Sequence, residues 1–196
     1  MAAAFVFGNG ISRLGVNIEL CKNYGKIYGC NGMYREAYKP DVLVATDRPI
    51  SEAIQMSGYP AENKFYTRRP LDGLGALTVP SNYFGYSSGP IAIALACMDR
   101  YKTVYLLGFD MGPGSNGKFN NVYADTEFYK RSSSTPTYTG NWVRQVVRLT
   151  QEFPKISFIR VQGSATAEIK ELSAAKNLAH MPMTDFLNRI NNTKEL

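Results

Sequence analysis

Thr103-Val104-Tyr105-Leu106-Leu107-Gly108 is a near-continuous apolar run closed by Phe109-Asp110. A run without polar alternation is what a parallel strand in mid-sheet requires, because helices cover both of its faces. Five more segments are short and rich in β-branched or aromatic residues: Ala3 to Phe7, Gly25 to Cys30, Val42 to Ala45, Lys64 to Thr67 and Ile156 to Val161. Between them the apolar residues shift to helical spacing at Ile50 to Met56, Gly89 to Asp99 and Trp142 to Phe153, and two further helices are expected at Thr166 to Lys176 and Thr184 to Asn191. Strands alternating with helices predict an α/β fold, a single Rossmann-like domain over residues 1–196 with a mostly parallel central sheet flanked by helices. Fraying is expected after Asn192.

Apolar residues make up 44% of the chain and charged ones 19%, with no low-complexity tract, which supports one packed core rather than disorder. Ala2 to Phe7 is too short for a signal-peptide core and meets Gly8-Asn9-Gly10 at once, so it reads as the first strand. No stretch approaches the roughly 20 apolar residues that a membrane-spanning helix needs. Cys21, Cys30 and Cys97 are odd in number and widely spaced, and His180 is the only histidine, so neither a disulfide framework nor a Cys/His zinc site can be assembled. Cys30 and Cys97 have apolar or small neighbours and are expected to be buried, inert thiols. A reducing, cytoplasmic compartment follows from this cysteine usage. The net charge of +6 is carried by scattered pairs such as Arg68-Arg69 and Lys130-Arg131. That pattern suits an anionic small molecule and argues against duplex DNA, which needs a contiguous basic face. Assembly into a homo-oligomer stays open.

In a parallel sheet, ligands gather beyond the carboxyl ends of the strands, so the residues just after each strand are the candidates for function. Gly8-Asn9-Gly10-Ile11-Ser12 comes directly after the first strand, where small residues let backbone N–H groups approach a phosphate and Asn9 or Ser12 can bond a ligand or cap a helix. It lacks the full G-x-G-x-x-G spacing and the Walker lysine, and a plain tight turn would look the same. Cys30-Asn31-Gly32 repeats the theme: the Asn31 amide can read a base or ribose, or Asn-Gly is again only a turn. Asp47 either contacts a ribose hydroxyl or caps the helix entered at Pro49. Ser88-Gly89-Pro90 opens an alanine-rich helix whose first N–H groups suit an anion. Asp110 can orient a ligand hydroxyl, act as a base or bind a metal, although no D-x-D pair accompanies it, so no obligatory metal is expected.

Residues 111–138 combine glycines, serines and aromatics without periodicity and read as a long lid loop. Tyr123, Tyr129 and Tyr138, with Lys130 and Arg131, could close over a phosphate leaving group, since phenol and cation donors stabilise developing negative charge, or could simply pack the loop.

Gly8-Asn9-Gly10-x-Ser12, the Asn31 turn, Ser88-Gly89 and Tyr101-Lys-x-Val-Tyr-Leu-x-Gly-x-Asp110, in that order, resemble the bacterial sialyltransferases of glycosyltransferase family 42. A looser similarity runs to the hydroxymethylpterin pyrophosphokinase-like family. The first resemblance implies a Rossmann-like domain that uses a nucleotide-sugar donor such as CMP-sialic acid, with no metal or other cofactor, and passes the sugar to a glycan or other acceptor. Carried over by position, Asn9, Gly10, Ser12 and Asn31 hold the nucleotide, and Ser88 and Gly89 lie against the donor. Asp110 sits near the ribose, and Tyr123 meets the departing phosphate from the lid. Two positions depart from the family pattern. Tyr138-Thr-Gly-Asn-Trp142 occupies the segment of the catalytic histidine, and Gly85-Tyr86-Ser87 stands where an arginine grips the sugar carboxylate. The base is thereby left unassigned, with Asp110 and Asp125 as carboxylates available for it. Mg²⁺-dependent pyrophosphokinase chemistry, with Asp47 and Asp110 as metal ligands, and nucleotide binding without catalysis are the alternatives.

Overall fold

A computed structural model describes residues 3–192; the expectation of fraying after Asn192 lies outside them. Eight strands form one sheet: β1 (Ala3–Phe7), β2 (Gly25–Cys30), β3 (Val42–Val44), β4 (Lys64–Thr67), β5 (Leu77–Thr78), β6 (Thr103–Leu107), β7 (Ser157–Gln162) and β8 (Leu178–Pro182). Their spatial order is β5-β4-β3-β2-β1-β6-β7-β8, and every neighbouring pair is parallel. The fold is therefore α/β and Rossmann-like, with an all-parallel sheet rather than a mostly parallel one.

Strand residues alternate between two cores. Ala3, Phe5 and Phe7 of β1 join Ile27, Leu43 and Phe65 beneath α1 (Ile18–Lys22), α2 (Arg48–Met56), α3 (Tyr59–Glu62) and α7 (Met183–Asn192). Ala4 and Val6 point the other way, with Tyr28, Val42, Val104 and Leu106, against α4 (Ser88–Met98), α5 (Gly140–Glu152) and α6 (Lys170–Ser173). Helix α4 is apolar all round because the sheet and α5 cover both its sides. Among the described residues no helix is long and apolar enough to cross a membrane.

Two expectations need correction. The segment Thr166 to Lys176 is helical only over Lys170–Ser173, because tertiary bonds hold its start in an irregular path. Ala167 N–H donates to the Asp110 carbonyl at 2.8 Å, and the Ala167 carbonyl accepts from Arg160 at 2.9 Å. Strands β5 and β8 escape sequence reading, since one has two exposed residues and the other mixes buried with exposed positions and ends on a proline, which an edge strand tolerates. Residues 108–139 carry no helix or strand, as the long-loop reading expects.

Candidate functional site

The chain leaves β1 towards β2 and later returns through α4 to place β6 on the opposite side of β1. Strand order reverses at that point, where ligand crevices form beyond the carboxyl ends of parallel strands. Gly8 and Gly108 make the two ends meet at backbone distance. Gly8 N–H donates to the Leu107 carbonyl at 2.8 Å and Gly10 N–H to the Gly108 carbonyl at 2.9 Å. A Cβ on Gly8 would lie 2.7 Å from the Gly108 oxygen, and one on Gly10 would lie 2.4 Å from the Asp110 carboxylate. Close packing of two strand ends thus accounts for both glycines.

A cavity of about 320 Å³ opens over this junction, within the range of small-molecule sites. Of the residues singled out from sequence, Gly8, Asn9, Gly10, Asn31, Asp47, Ser88, Gly89 and Asp110 line it. Ser12 stands behind its wall: its N–H donates to Asp110 Oδ2 at 3.1 Å and its hydroxyl to Asp110 Oδ1. The amides of Asn9 and Asn31 are unusual. Asn9 Nδ2 donates to the Cys30 carbonyl at 3.4 Å, but the Oδ1 atoms of both asparagines are buried without a hydrogen-bond partner. Asn31 also sits at φ 51°, in the left-handed region that asparagine tolerates better than most residues. A buried unpaired acceptor costs about 1–3 kcal/mol, which a donor from an ordered water or a bound ligand relieves.

Facing them is the N-terminus of α4. Ser87 N–H is taken by Gln145 Oε1 at 2.9 Å and the Ser88 hydroxyl is held by Thr46. The N–H groups of Ser88 and Gly89 have no acceptor among the described residues. Arg68, from the end of β4, lines the same cavity. It donates through Nε to the Phe84 carbonyl and through Nη2 to the Tyr86 carbonyl, both at 2.6 Å, and pairs with no carboxylate among the described residues. Its guanidinium is thereby held at the loop leading into Ser87-Ser88-Gly89. Arg68 and Trp142, which adds an aromatic wall, were not identified as site residues from sequence, because nothing in a single arginine or tryptophan says which cleft it will face.

Asp110 is buried and fully engaged. Its carboxylate accepts from Ser12 N–H and Oγ–H, from Asn120 Nδ2 at 3.0 Å and from Thr166 Oγ1 at 3.3 Å. These bonds tie the β1 turn, the long loop and the segment after β7 to the end of β6. Below it Arg160, fully buried in β7, donates to the Phe109, Asp110 and Ala167 carbonyls at 2.9–3.0 Å. Burial pulls the Arg160 guanidinium down to about 10, with Asp110 acting in the opposite direction, so it stays charged at neutral pH.

The long loop is docked rather than free. Val122 N–H donates to the Asn9 carbonyl at 2.8 Å, and the Asn120 amide oxygen accepts from Ile11 N–H at 2.8 Å. Tyr123 lies outside the cavity: its hydroxyl donates to Glu36 Oε1 at 2.6 Å and accepts from buried Arg13 at 2.8 Å. The Tyr129 hydroxyl accepts from Gly32 N–H at 2.7 Å. Burial raises both phenols above their ordinary values, with Arg13 working against it at Tyr123, so both stay protonated. Tyr129 instead borders a second cavity of about 330 Å³, which shares Asn31 and Asp47 with the first. Asp47 holds the N-cap position of α2, yet its carboxylate makes no cap bond. Tyr138 is 72% exposed, on a different surface.

Burial pushes the Cys30 thiol, which lines the cavity, up to about 12, so it is neutral and no nucleophile. No group of three His, Cys, Asp or Glu side chains able to share a metal ion occurs among the described residues. Comparison with family models, curated proteins and solved structures returns no match for this chain.

Proposed function

We propose that the cavity at the strand-order reversal binds a nucleotide sugar and that the protein is a metal-independent transferase, related in mechanism to the sialyltransferases its motifs resemble. The observation that carries this reading is the pair of buried, unpartnered amide oxygens of Asn9 and Asn31. A nucleobase amino group or a ribose hydroxyl supplies the donors they lack.

The phosphate lies opposite, between Arg68 and the free N–H groups of Ser88 and Gly89, where a guanidinium and a helix N-terminus favour negative charge. Leaving-phosphate stabilisation then falls to Arg68 and α4 rather than to Tyr123, whose hydroxyl is committed to Arg13 and Glu36. Tyr123 and Tyr129 serve by holding the long loop over the β1 and β2 turns.

A thermal-shift panel of CMP, CDP, UDP, GDP, ATP and CMP-sialic acid, each with Mg²⁺ and with EDTA, tests the reading, because a ligand that binds the native state raises its stability. A metal-independent shift with a sugar nucleotide, lost in Asn31→Ala, is the expected result. A shift seen only with ATP and Mg²⁺ favours the pyrophosphokinase reading, and no shift at all rejects nucleotide binding.

A further inference from the structure

Sugar transfer to an acceptor hydroxyl needs a place for the acceptor beside the donor and a group to take its proton. Three carboxylates come into question, and geometry separates them. Asp110 Oδ1 and Oδ2 already accept four hydrogen bonds. Asp125 lies in the long loop, accepts from Ser132 N–H at 3.0 Å, and borders neither cavity. Asp47 is exposed, its carboxylate makes no hydrogen bond or ion pair among the described residues, and it stands on the wall common to both cavities.

We infer, resting on the nucleotide-sugar reading above, that the second cavity is the acceptor subsite for a neutral, ring-bearing polyhydroxyl compound, and that Asp47 is the general base. The lining supports that class of ligand. Phe128, Tyr129, Pro49 and Ile50 offer an apolar wall for the face of a sugar ring, while Asn31 and Asp47 offer polar groups for its hydroxyls. Asp47 is the one charged side chain among these lining residues, and a neutral hydroxyl compound can donate to it without charge repulsion.

The wall is built in advance. Phe128 sits at φ 71°, a strained backbone conformation that persists only where surroundings impose it and that recurs at ligand sites. Arg35 imposes it: its guanidinium lies 5.7 Å from the Phe128 ring centroid, and it donates to Thr126 Oγ1 at 2.9 Å and to the Glu127 carbonyl at 3.1 Å.

In the step itself the acceptor oxygen bonds to the anomeric carbon of the donor sugar and its proton passes to the Asp47 carboxylate. The bond from that carbon to the phosphate oxygen breaks, and its electron pair leaves with the nucleotide. The proton on Asp47 is afterwards lost to water.

The test compares the wild type with Asp47→Asn, using CMP-sialic acid, UDP-glucose and GDP-mannose as donors and lactose as acceptor. Donor binding is read by thermal shift and nucleotide release by chromatography. The expected result is release slowed about 10²- to 10⁴-fold at saturating donor, the range of a lost general base, whatever the change in donor binding. Phe128→Ala should raise the KM for lactose with kcat less affected. Release by Asp47→Asn at the wild-type rate overturns the base assignment, as does a wild type that binds a donor and releases nothing, while the nucleotide site stands in both cases. An unchanged lactose KM in Phe128→Ala overturns the acceptor subsite, and a wild type that binds no donor overturns the underlying reading as well.

Discussion

A methyl group on Gly10 would sit 2.4 Å from the Asp110 carboxylate and 2.7 Å from the Gly108 oxygen. Neither neighbour can retreat, since the carboxylate is held by four donors and the carbonyl belongs to the end of a central strand. Gly10→Ala is therefore expected to destabilise the fold by about 1–3 kcal/mol, the usual cost of overpacking, as measured by urea unfolding. Unchanged stability would mean that the turn relaxes freely. Sequence marked Gly10 and Asp110 as special, but it did not show that each is the other's constraint. Asp110 is a candidate base when only its place after a strand is known. Its four donors come from positions 12, 120 and 166, and only folding brings those together.

At the scale of elements, β7 shows how a single polar side chain can organise the irregular segments around a strand end. Arg160 is fully buried and its three bonds satisfy the carbonyls of Phe109, Asp110 and Ala167. Arg160→Met leaves the Phe109 and Ala167 carbonyls without their donor, while the Asp110 carbonyl keeps Ala167 N–H, and is expected to cost roughly 2 kcal/mol or more, by the penalty for unsatisfied buried acceptors. Thermal denaturation checks this, and a loss under about 1 kcal/mol would show that water or neighbouring N–H groups take over. The same bonds explain why Thr166 to Lys176 forms so little helix. Elements with strong local patterns were legible: the apolar run of β6, the alanine-rich α4, the amphipathic α2 and α5. Elements fixed by edge pairing, β5 and β8, were not, because an edge strand needs few buried residues.

The whole molecule joins these parts through contacts distant in sequence, and one of them should be visible in acid. Asp99, just after α4, accepts from Lys26 at 2.9 Å and from Tyr28 at 2.5 Å, both in β2. Burial alone would raise its carboxyl, but these bonds outweigh it and hold the group below its ordinary value of 3.8. A depressed folded-state value contributes stability that is present above the unfolded value and disappears as pH falls through the folded one. Stability should thus decline below about pH 4, and Asp99→Asn should flatten that decline in denaturation curves taken from about pH 5 to about pH 2. Equal slopes for the two proteins would assign the acid limb to other carboxylates. The sequence by itself determined the alternation of strands and helices, the central place of β6 and the strand ends as the candidate positions for a site, because hydrophobic periodicity and glycine turns are local properties. The tertiary structure decided the order of the strands, and with it which strand ends share one cavity. It took Tyr123 out of that cavity into an Arg13–Glu36 contact, brought Arg68 in, and left Asp47 as the free carboxylate between two cavities. Those outcomes depend on side chains meeting across the sheet, and no local pattern encodes such a meeting.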